Sequence, residues 1–472
     1  MLACRLCGCV YFRCVPSASR IDSAAIPGSG RPSPAEAAIA PVAGHGKPAW
    51  GRRRLLLLAV FITYSLAYLD RANYGFGAAA GMAQTLAITE RRSALLGALF
   101  FLGYFLFQVP GILAAKRLSC SRIVFAALIT WGTLATLTGI LRSFWMLAID
   151  RLLLGVAESI ILPAMMLFLT RWFTKAERSR ANALLILGNP STVLWMSAIT
   201  GFLIQRFGWQ KTFIFEGLPS IAWAVVWIFT MRDWPTQAKW FPQDEALRLT
   251  RQLEEEQKAM PLAAHASTQS LRATLLRKDV VVLCLQYFCW SVGIYGFVLW
   301  LPTIVRAGSS LSMGRTGMVS ALPYVVSIAL MLLVSHLSDR TQKRRELVWP
   351  FLLIAGVAML GSFVLAPYGF IWAFLCLVIS GGCMYAPYGP FFAIIPERIP
   401  AQRVGEVLAL VNSAGALGGF AGSYLVGLLQ AVTGNARAGY LMMALSLVFS
   451  SLLTLWLPDV PASAKDPEVA HA

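Results

Sequence analysis

The chain has 472 residues, of which 57% are apolar and 13% are charged, and its formal net charge is +18. Such a low share of charged residues excludes a water-soluble globule of ordinary composition and indicates a membrane protein. The basic excess does not indicate nucleic-acid binding, because the lysines and arginines are spread over many short loops and form no single basic face.

The first 51 residues are rich in Ala, Pro, Gly and Ser, a composition typical of disordered chain. They contain no apolar stretch long enough for a cleaved signal peptide. Cys4 and Cys7 form one CxxC pair, but no second pair follows at zinc-finger spacing, so neither a metal nor a cofactor is expected. We predict a disordered cytoplasmic tail over 1–51. The alternative left open is upstream sequence ahead of a true start near residue 42.

Twelve stretches are apolar over about 20 residues, the length that crosses a bilayer core of about 30 Å. A polar stretch with the amphipathic segment QDEALRLTRQLEEEQKA separates the first six from the last six. The sequence predicts an all-α membrane protein with an N-terminal bundle over 52–231, a linker over 232–279, a C-terminal bundle over 280–458 and a tail over 459–472. The twelve stretches lie near 55–75, 93–114, 123–141, 144–170, 182–205, 212–231, 280–304, 317–338, 347–366, 370–394, 404–430 and 438–457.

Lysines and arginines are concentrated in the loops on one side of these spans. Because basic loops stay in the cytoplasm, we predict that this side, with the linker and both termini, is cytoplasmic. The basic residues that indicate the orientation are Arg52, Arg53, Arg54, Lys116, Arg117, Arg122, Arg171, Lys175, Arg178, Arg180, Arg340, Lys343, Arg344 and Arg345.

The two halves repeat one pattern around the fifth and eleventh spans. Each has a basic residue at its start, an Asn inside and glycines towards its end. The pairs are Arg180 and Arg403, Asn189 and Asn412, Gly201 and Gly427, and Gly208 and Gly434. A repeat of this kind predicts two related six-helix halves with a binding site between them.

Four charged residues interrupt the apolar spans. Asp70 and Arg71 follow the run LLLLAVFITYSLAYL, and Asp70 is roughly 22 Å along its helix from Leu55. In the fourth span, which runs the opposite way, Arg151 and Glu158 are about 12 Å and about 22 Å deep. Each charge would cost on the order of 3 kcal/mol against lipid. All four are therefore expected to face a protein interior or a water-filled cavity at the centre of the molecule.

This combination of charges predicts anion binding together with proton handling. The forked donors of arginine suit a carboxylate. We expect an arginine beside Asp70 to keep that acid paired, and Glu158 to be more isolated and to exchange protons. Two other interpretations stay open: an ion cluster that only locks the first and fourth spans, and charges that reach the outer headgroups.

Segments spread over about residues 52–459 resemble the anion:cation symporter family of the major facilitator superfamily. Within that family the chain is most similar to the branch of 2-ketogluconate and L-rhamnonate transporters, through YGFGAAAGMA, AERSRANALLILGNPSTVLWMS and MYAPYGPFFAIIPE. The resemblance implies the major facilitator fold, with twelve transmembrane helices in two pseudo-symmetric halves. It rests on YLDRANYGFG, VPGILAAKRLSCSRIVFAALITWG, RLLLGVAESIILPAMMLFLTRWFTKAERSRA, GWQKTFIFEGLPS, FVLWLP, LSDRTQKRR and VNSAGALGGF.

The resemblance also implies roles for single residues. Asp70 and Glu158 correspond to the proton-handling acids of that family, and Arg71 and Arg151 to the arginines that bind the substrate carboxylate. For the tyrosines, a core position with a satisfied hydroxyl is an equal alternative. The further substrate-binding residues implied are Tyr68, Tyr104, Gln286, Tyr295 and Asn412, and the inner gate residues are Asp339 and Arg340. Ala115 stands where the superfamily usually has a gate acid after the second span.

We predict a proton-coupled importer in the inner membrane, which carries a small organic anion, such as the sugar acids 2-ketogluconate and L-rhamnonate, by alternating access. The expected partners are the anion, protons and the lipid bilayer, with no nucleic acid, and the expected state is a monomer. The alternatives are an organic-anion exchanger and a symporter of tartrate, galactonate or an aromatic acid. No GxxxxGK[ST] or HExxH motif is present, so neither an enzyme nor an ATP-driven pump is expected.

Overall fold

The computed structural model describes residues 50–258, 271–399, 403–434 and 437–457. Within these ranges the regular structure is helical and no strand occurs. The predicted tails, including Cys4 and Cys7, lie outside the described residues apart from 50 and 51.

In the described ranges, eleven segments are long and apolar enough to cross a membrane, and one of them contains two spans. The segment Ala181–Thr230 has 50 residues, which as one helix would measure about 75 Å, far more than a bilayer core. The chain reverses at Gly208, whose φ of 79° lies in the left-handed region. This reversal allows Thr200, eight residues before Gly208, to donate a hydrogen bond to Glu216, eight residues after it. The predicted twelve-helix fold is confirmed.

We number the spans 1 to 12 and call spans 1–6 the N-terminal half and spans 7–12 the C-terminal half. In order, the helices are Trp50–Ala79, Glu90–Arg117, Cys120–Thr138, Phe144–Glu158 with Ile161–Trp172 (span 4), 175–207, 209–230, Lys278–Gly308, Met313–Thr341, Trp349–Leu365, Phe370–Tyr385 with Tyr388–Arg398 (span 10), Val404–Thr433 and Arg437–Leu455. Short helices are Met82–Thr85, Pro235–Gln237, Leu271–Leu275, Arg345–Leu347 and Ala366–Tyr368.

The amphipathic segment of the linker is helical over Gln243–Lys258. Ala246 and Leu249 on its apolar face are buried. Just before this helix, the ring of Trp240 stacks on Trp172 at the end of span 4, with 5.6 Å between ring centroids. We call the end of the bundle that carries this linker the linker end, and the opposite end the far end.

Spans 4 and 10 are each broken near their middle by proline. Pro163 has no amide hydrogen to donate to the carbonyl of Ser159, and Pro390 stands in the same relation to Ala386. Span 4 is therefore interrupted immediately after Glu158, and span 10 immediately after Tyr385. The matching breaks are a further sign that the halves repeat one design.

The two halves contact each other through small residues. Gly201 of span 5 packs against Gly317 of span 8, and Gly427 of span 11 packs against Ala94 of span 2. A third contact joins Gly75 of span 1 to the backbone of span 7. The glycines that the sequence paired thus have matching roles, and Gly208 and Gly434 both have positive φ.

Candidate functional site

The predicted charges are brought together because spans 2 and 4 touch backbone to backbone. A Cβ atom on Gly155 would overlap the carbonyl oxygen of Phe100, and one on Gly103 would overlap that of Leu152. Gly155 lies between Arg151 and Glu158 on span 4. The close approach therefore places both charged side chains beside the aromatic residues of span 2.

The central contact of the site is an ion pair between spans 1 and 4. The Nε atom of Arg71 donates to Oε2 of Glu158 over 2.9 Å, and both side chains are at most 5% exposed. The Arg71 guanidinium also lies 4.5 Å from the ring centroid of Tyr104 and 5.2 Å from that of Tyr68. Aromatic faces stabilise such a desolvated cation.

Arg151 is buried beside the pair and shares an aromatic neighbour with it. Its guanidinium lies 5.8 Å from the ring centroid of Phe100, and Arg71 lies 5.5 Å from the same ring. Tyr74 covers Arg151 towards the far end, with 4.9 Å between guanidinium and ring centroid. Phe100 and Tyr74, which the sequence analysis missed, thus form part of the site. Only their proximity in space identifies them, because aromatic residues are common in membrane spans.

Asp70 is buried without a described partner. It is 1% exposed, and neither carboxylate oxygen accepts a hydrogen bond from any residue that the structure describes. The charges that act on it are those of Glu158, Glu216, Arg151 and Asp150.

The pairing therefore differs from our expectation, which paired Asp70 and left Glu158 isolated. Successive residues of a helix point about 100° apart, so Asp70 and Arg71 cannot both face the same neighbour. Arg71 faces span 4 and takes Glu158 as its partner. The interpretation that the charges reach the headgroups is also wrong, because all four are buried in protein.

The remaining predicted substrate residues are only partly gathered. Tyr295 of span 7 is half-buried and contacts Phe101, with 4.4 Å between ring centroids, so it reaches the N-terminal half beside Phe100. Gln286 is fully buried and Asn412 is half-buried. Within the described part of the chain, neither has a recorded side-chain contact with Arg71 or Arg151. Next to Asn412, Ser413 donates to Gln108 of span 2 over 3.1 Å, which is a polar contact between the halves.

Two further buried acids were missed. Asp150 accepts a hydrogen bond from Thr138 over 2.6 Å. Glu216 of span 6 accepts from Asn73 over 3.1 Å and from Thr200. Both were detectable in principle, since each is an acid inside an apolar span, as Glu158 is.

Comparison with known proteins assigns the chain to a family. The model of the Major Facilitator Superfamily matches residues 60–423, well over half of the chain. The chain belongs to the major facilitator superfamily. It is therefore a multi-pass membrane transporter and not an enzyme.

Three relatives and one solved structure illustrate how widely this superfamily transporter is related. A protein of Agrobacterium vitis whose name refers to tartrate transport is 30% identical over 418 residues, 87% of this chain and 91% of that protein. The quinolone resistance transporter of Acinetobacter baumannii is 29% identical, over 84% of this chain and 92% of that protein. The inner membrane transport protein RhmT of Escherichia coli is 28% identical, over 86% and 94%. The inward open xylose transporter XylE of E. coli shares the fold, with a TM-score of 0.70 at 13% identity over 88% of this chain and 99% of that one.

The transporter has a cavity of about 300 Å³ at its far end, between spans 1, 2, 7 and 11. Tyr74 lines it and holds its hydroxyl on the backbone oxygen of Ser93, 2.7 Å away. None of the predicted site residues lines this cavity. The ring of Tyr74 thus contacts both the cavity and Arg151.

At the linker end, the predicted gate residues of the transporter lie in the last turn of span 8. Asp339 accepts from Arg344 over 2.8 Å, and Arg344 also contacts Glu397 of span 10 at 3.1 Å. Burial alone would lower the pKa of Arg344, but the two acid contacts outweigh it and raise that pKa. Arg340 has no ion pair among the described residues. Arg344, which the sequence analysis did not single out, thus joins the predicted gate residue Asp339 to span 10.

Proposed function

We propose that this transporter imports a small hydroxylated carboxylate, such as 2-ketogluconate or L-rhamnonate, together with protons, and that the charges of spans 1 and 4 bind the anion and couple it to protons. The observation that carries the proposal is a set of buried donors without partners. Nη2 of Arg71 and Nε of Arg151 have no described hydrogen-bond partner. Unsatisfied buried donors are costly, and a carboxylate would satisfy them.

Binding and coupling follow from competition for Arg71. A substrate carboxylate that binds Arg71 displaces Glu158 from its ion pair with that arginine. An unpaired carboxylate buried in a membrane protein costs several kcal/mol, so Glu158 then takes up a proton. When the anion and the proton leave, the Arg71–Glu158 pair forms again. Asp70, which has no partner to lose, is the second proton-handling acid in this scheme.

Energetics favour such coupling. One negative charge that enters against 100 mV, inside negative, costs about 2.3 kcal/mol, and one accompanying proton cancels that cost. Each additional proton supplies driving force for uphill uptake.

The neutral polar residues around the arginines suit a solute with hydroxyl groups. Tyr68, Tyr104 and Tyr295 can donate or accept hydrogen bonds once a solute separates the rings. The relative named for tartrate transport is in keeping with this class, because tartrate is also a hydroxylated carboxylate. We further infer that the protein lies in the inner membrane and that its linker end faces the cytoplasm, because the basic loops lie at that end.

The test is solute flux in liposomes that contain the purified protein, with 2-ketogluconate, L-rhamnonate, galactonate and tartrate as solutes. Wild-type protein should accumulate at least one of them when a pH gradient is imposed. The variant Glu158→Gln should lose accumulation but keep counterflow, because glutamine still accepts the Arg71 hydrogen bond and cannot titrate.

The matched control is Glu406→Gln, which changes a half-exposed acid at the start of span 11. It should transport like the wild type. Accumulation by Glu158→Gln that equals the wild type would refute proton coupling through this residue and favour an anion exchanger. Absence of flux with all four solutes would refute the substrate class.

A further inference from the structure

The N-terminal half buries more negative than positive groups. Among the side chains that the structure describes in this half, the buried charged ones comprise four carboxyl groups and two guanidinium groups: Asp70, Asp150, Glu158, Glu216, Arg71 and Arg151. Arginine stays charged in proteins, so two carboxylates at most can be neutralised. An unpaired buried charge is strongly unfavourable, and the remaining two acids are therefore most stable with a proton bound.

Glu216 has the surroundings of an acid that carries such a proton. It is 5% exposed, and its described hydrogen-bond partners are the amide of Asn73 and the hydroxyl of Thr200, both neutral. Behind it, Gly217 packs on Thr136 of span 3, which is also neutral. Asp70 on span 1 is an ionisable group whose charge interacts with that of Glu216. No cation among the described residues pairs with Glu216.

The hydrogen bonds of Glu216 connect the charge cluster to the contact between the halves. Asn73 follows Asp70 by three residues and lies on the same side of span 1, one turn nearer the far end. Thr200 immediately precedes Gly201, which packs on Gly317 of span 8. A change in the charge of Glu216 therefore acts on span 1 and on the span 5 contact together.

We propose that Glu216 is a proton-binding site that controls closure of the far end. Protonated Glu216 permits spans 5 and 8 to pack together. When these spans separate, water reaches the carboxyl group, which releases its proton to that water. The Glu216 carboxylate must bind a proton from the same side before the far end can close again. The proposal requires alternating access but not proton-coupled import, since this proton returns to the side from which it came.

A first experiment detects the bound proton without any transport. Infrared spectroscopy of the purified protein at neutral pH should show the carbonyl stretch of a protonated carboxyl group. Glu216→Gln should lose one such signal, and Glu406→Gln should not. Glutamine can make the same two hydrogen bonds, so the variant should fold. An unchanged signal in Glu216→Gln would overturn the proposal.

A second experiment measures counterflow in right-side-out vesicles while the pH of the medium is raised and the interior is buffered. If closure requires one bound proton, the wild-type rate should fall about tenfold for each pH unit at alkaline pH. This factor is equivalent to about 1.4 kcal/mol. In Glu216→Gln the slope of log rate against pH should be smaller by about one, whereas Glu216→Asp should keep the wild-type slope. Equal slopes in wild type and Glu216→Gln would overturn control of closure.

The two proposals fail separately. A transporter that exchanges solute but never accumulates it with a pH gradient would refute proton-coupled import and leave both Glu216 measurements decisive. Inside-out vesicles show from which side of the membrane Glu216 binds its proton. In these vesicles the far end faces the interior, so Glu216→Gln should alter the response to internal pH only. A response on the opposite side would overturn the placement of this site at the far end.

Discussion

The two halves of the transporter share one helical design but differ in their interiors. Six charged side chains are buried in the N-terminal half, whereas the described part of the C-terminal half buries none. There the interior has an aromatic cluster instead, in which Tyr287, Tyr388 and Phe391 pack around Trp290. Charge in a membrane interior is costly, so its confinement to one half indicates a division of labour. In the function that we propose, the N-terminal half handles charge and protons, and the C-terminal half offers a neutral surface to the uncharged part of a solute.

The difference between the halves should be most visible when one charge is removed from each. Arg71→Gln leaves Glu158 buried without a cation, so the free energy of unfolding should fall by on the order of 3–5 kcal/mol. In the C-terminal half, Arg344→Gln removes contacts to Asp339 and Glu397, whose side chains are 73% and 33% exposed, and should cost less than about 1 kcal/mol. Thermal unfolding in detergent, followed by tryptophan fluorescence, measures both.

The double variant Arg71→Gln with Glu158→Gln serves as the control. It replaces the ion pair by a neutral hydrogen-bonded pair and should recover most of the lost stability. If Arg71→Gln melts no lower than Arg344→Gln, the N-terminal cluster does not depend on charge pairing.

A smaller effect is expected from helix packing. Gly155→Ala places a Cβ against the backbone of span 2, which cannot move without separating the arginines, and should cost about 1–3 kcal/mol. Gly405→Ala in span 11 meets nothing within 4 Å and should change stability by less than about 1 kcal/mol. Size-exclusion profiles and melting temperatures compare the pair. Equal melting temperatures would contradict the close approach of spans 2 and 4.

The smallest effect sharpens the role of the C-terminal half. Tyr295→Phe removes one neutral hydroxyl, so KM for a hydroxylated anion should rise about 3- to 10-fold, the value of one hydrogen bond. The number of protons per solute should not change. The control is Tyr440→Phe, since Tyr440 packs on Phe363 in the C-terminal half. This variant should behave as wild type. A changed proton number in Tyr295→Phe would place coupling in both halves.

The location of the site was largely predictable, but its pairing was not. A run of apolar residues that contains Asp70 and Arg71 identifies both as buried groups whatever their neighbours are. That Arg71 would select Glu158 depends on the rotation of span 1 against span 4, to which hydropathy is insensitive. Glu216 was not predicted, although GWQKTFIFEGLPS contains it, because no arginine accompanies it within span 6.

By itself, the sequence determined the number of spans, the repeat between the halves and the presence of charges that lipid would not tolerate. These properties are local, since the free energy of placing a segment in a bilayer is set by its own length and composition. Tertiary structure alone decided that Arg71 pairs with Glu158, that Asp70 stays unpaired and that Glu216 joins spans 1 and 5. Those contacts are set by how closely neighbouring backbones approach, as Gly155 does against Phe100, and that distance depends on both surfaces at once.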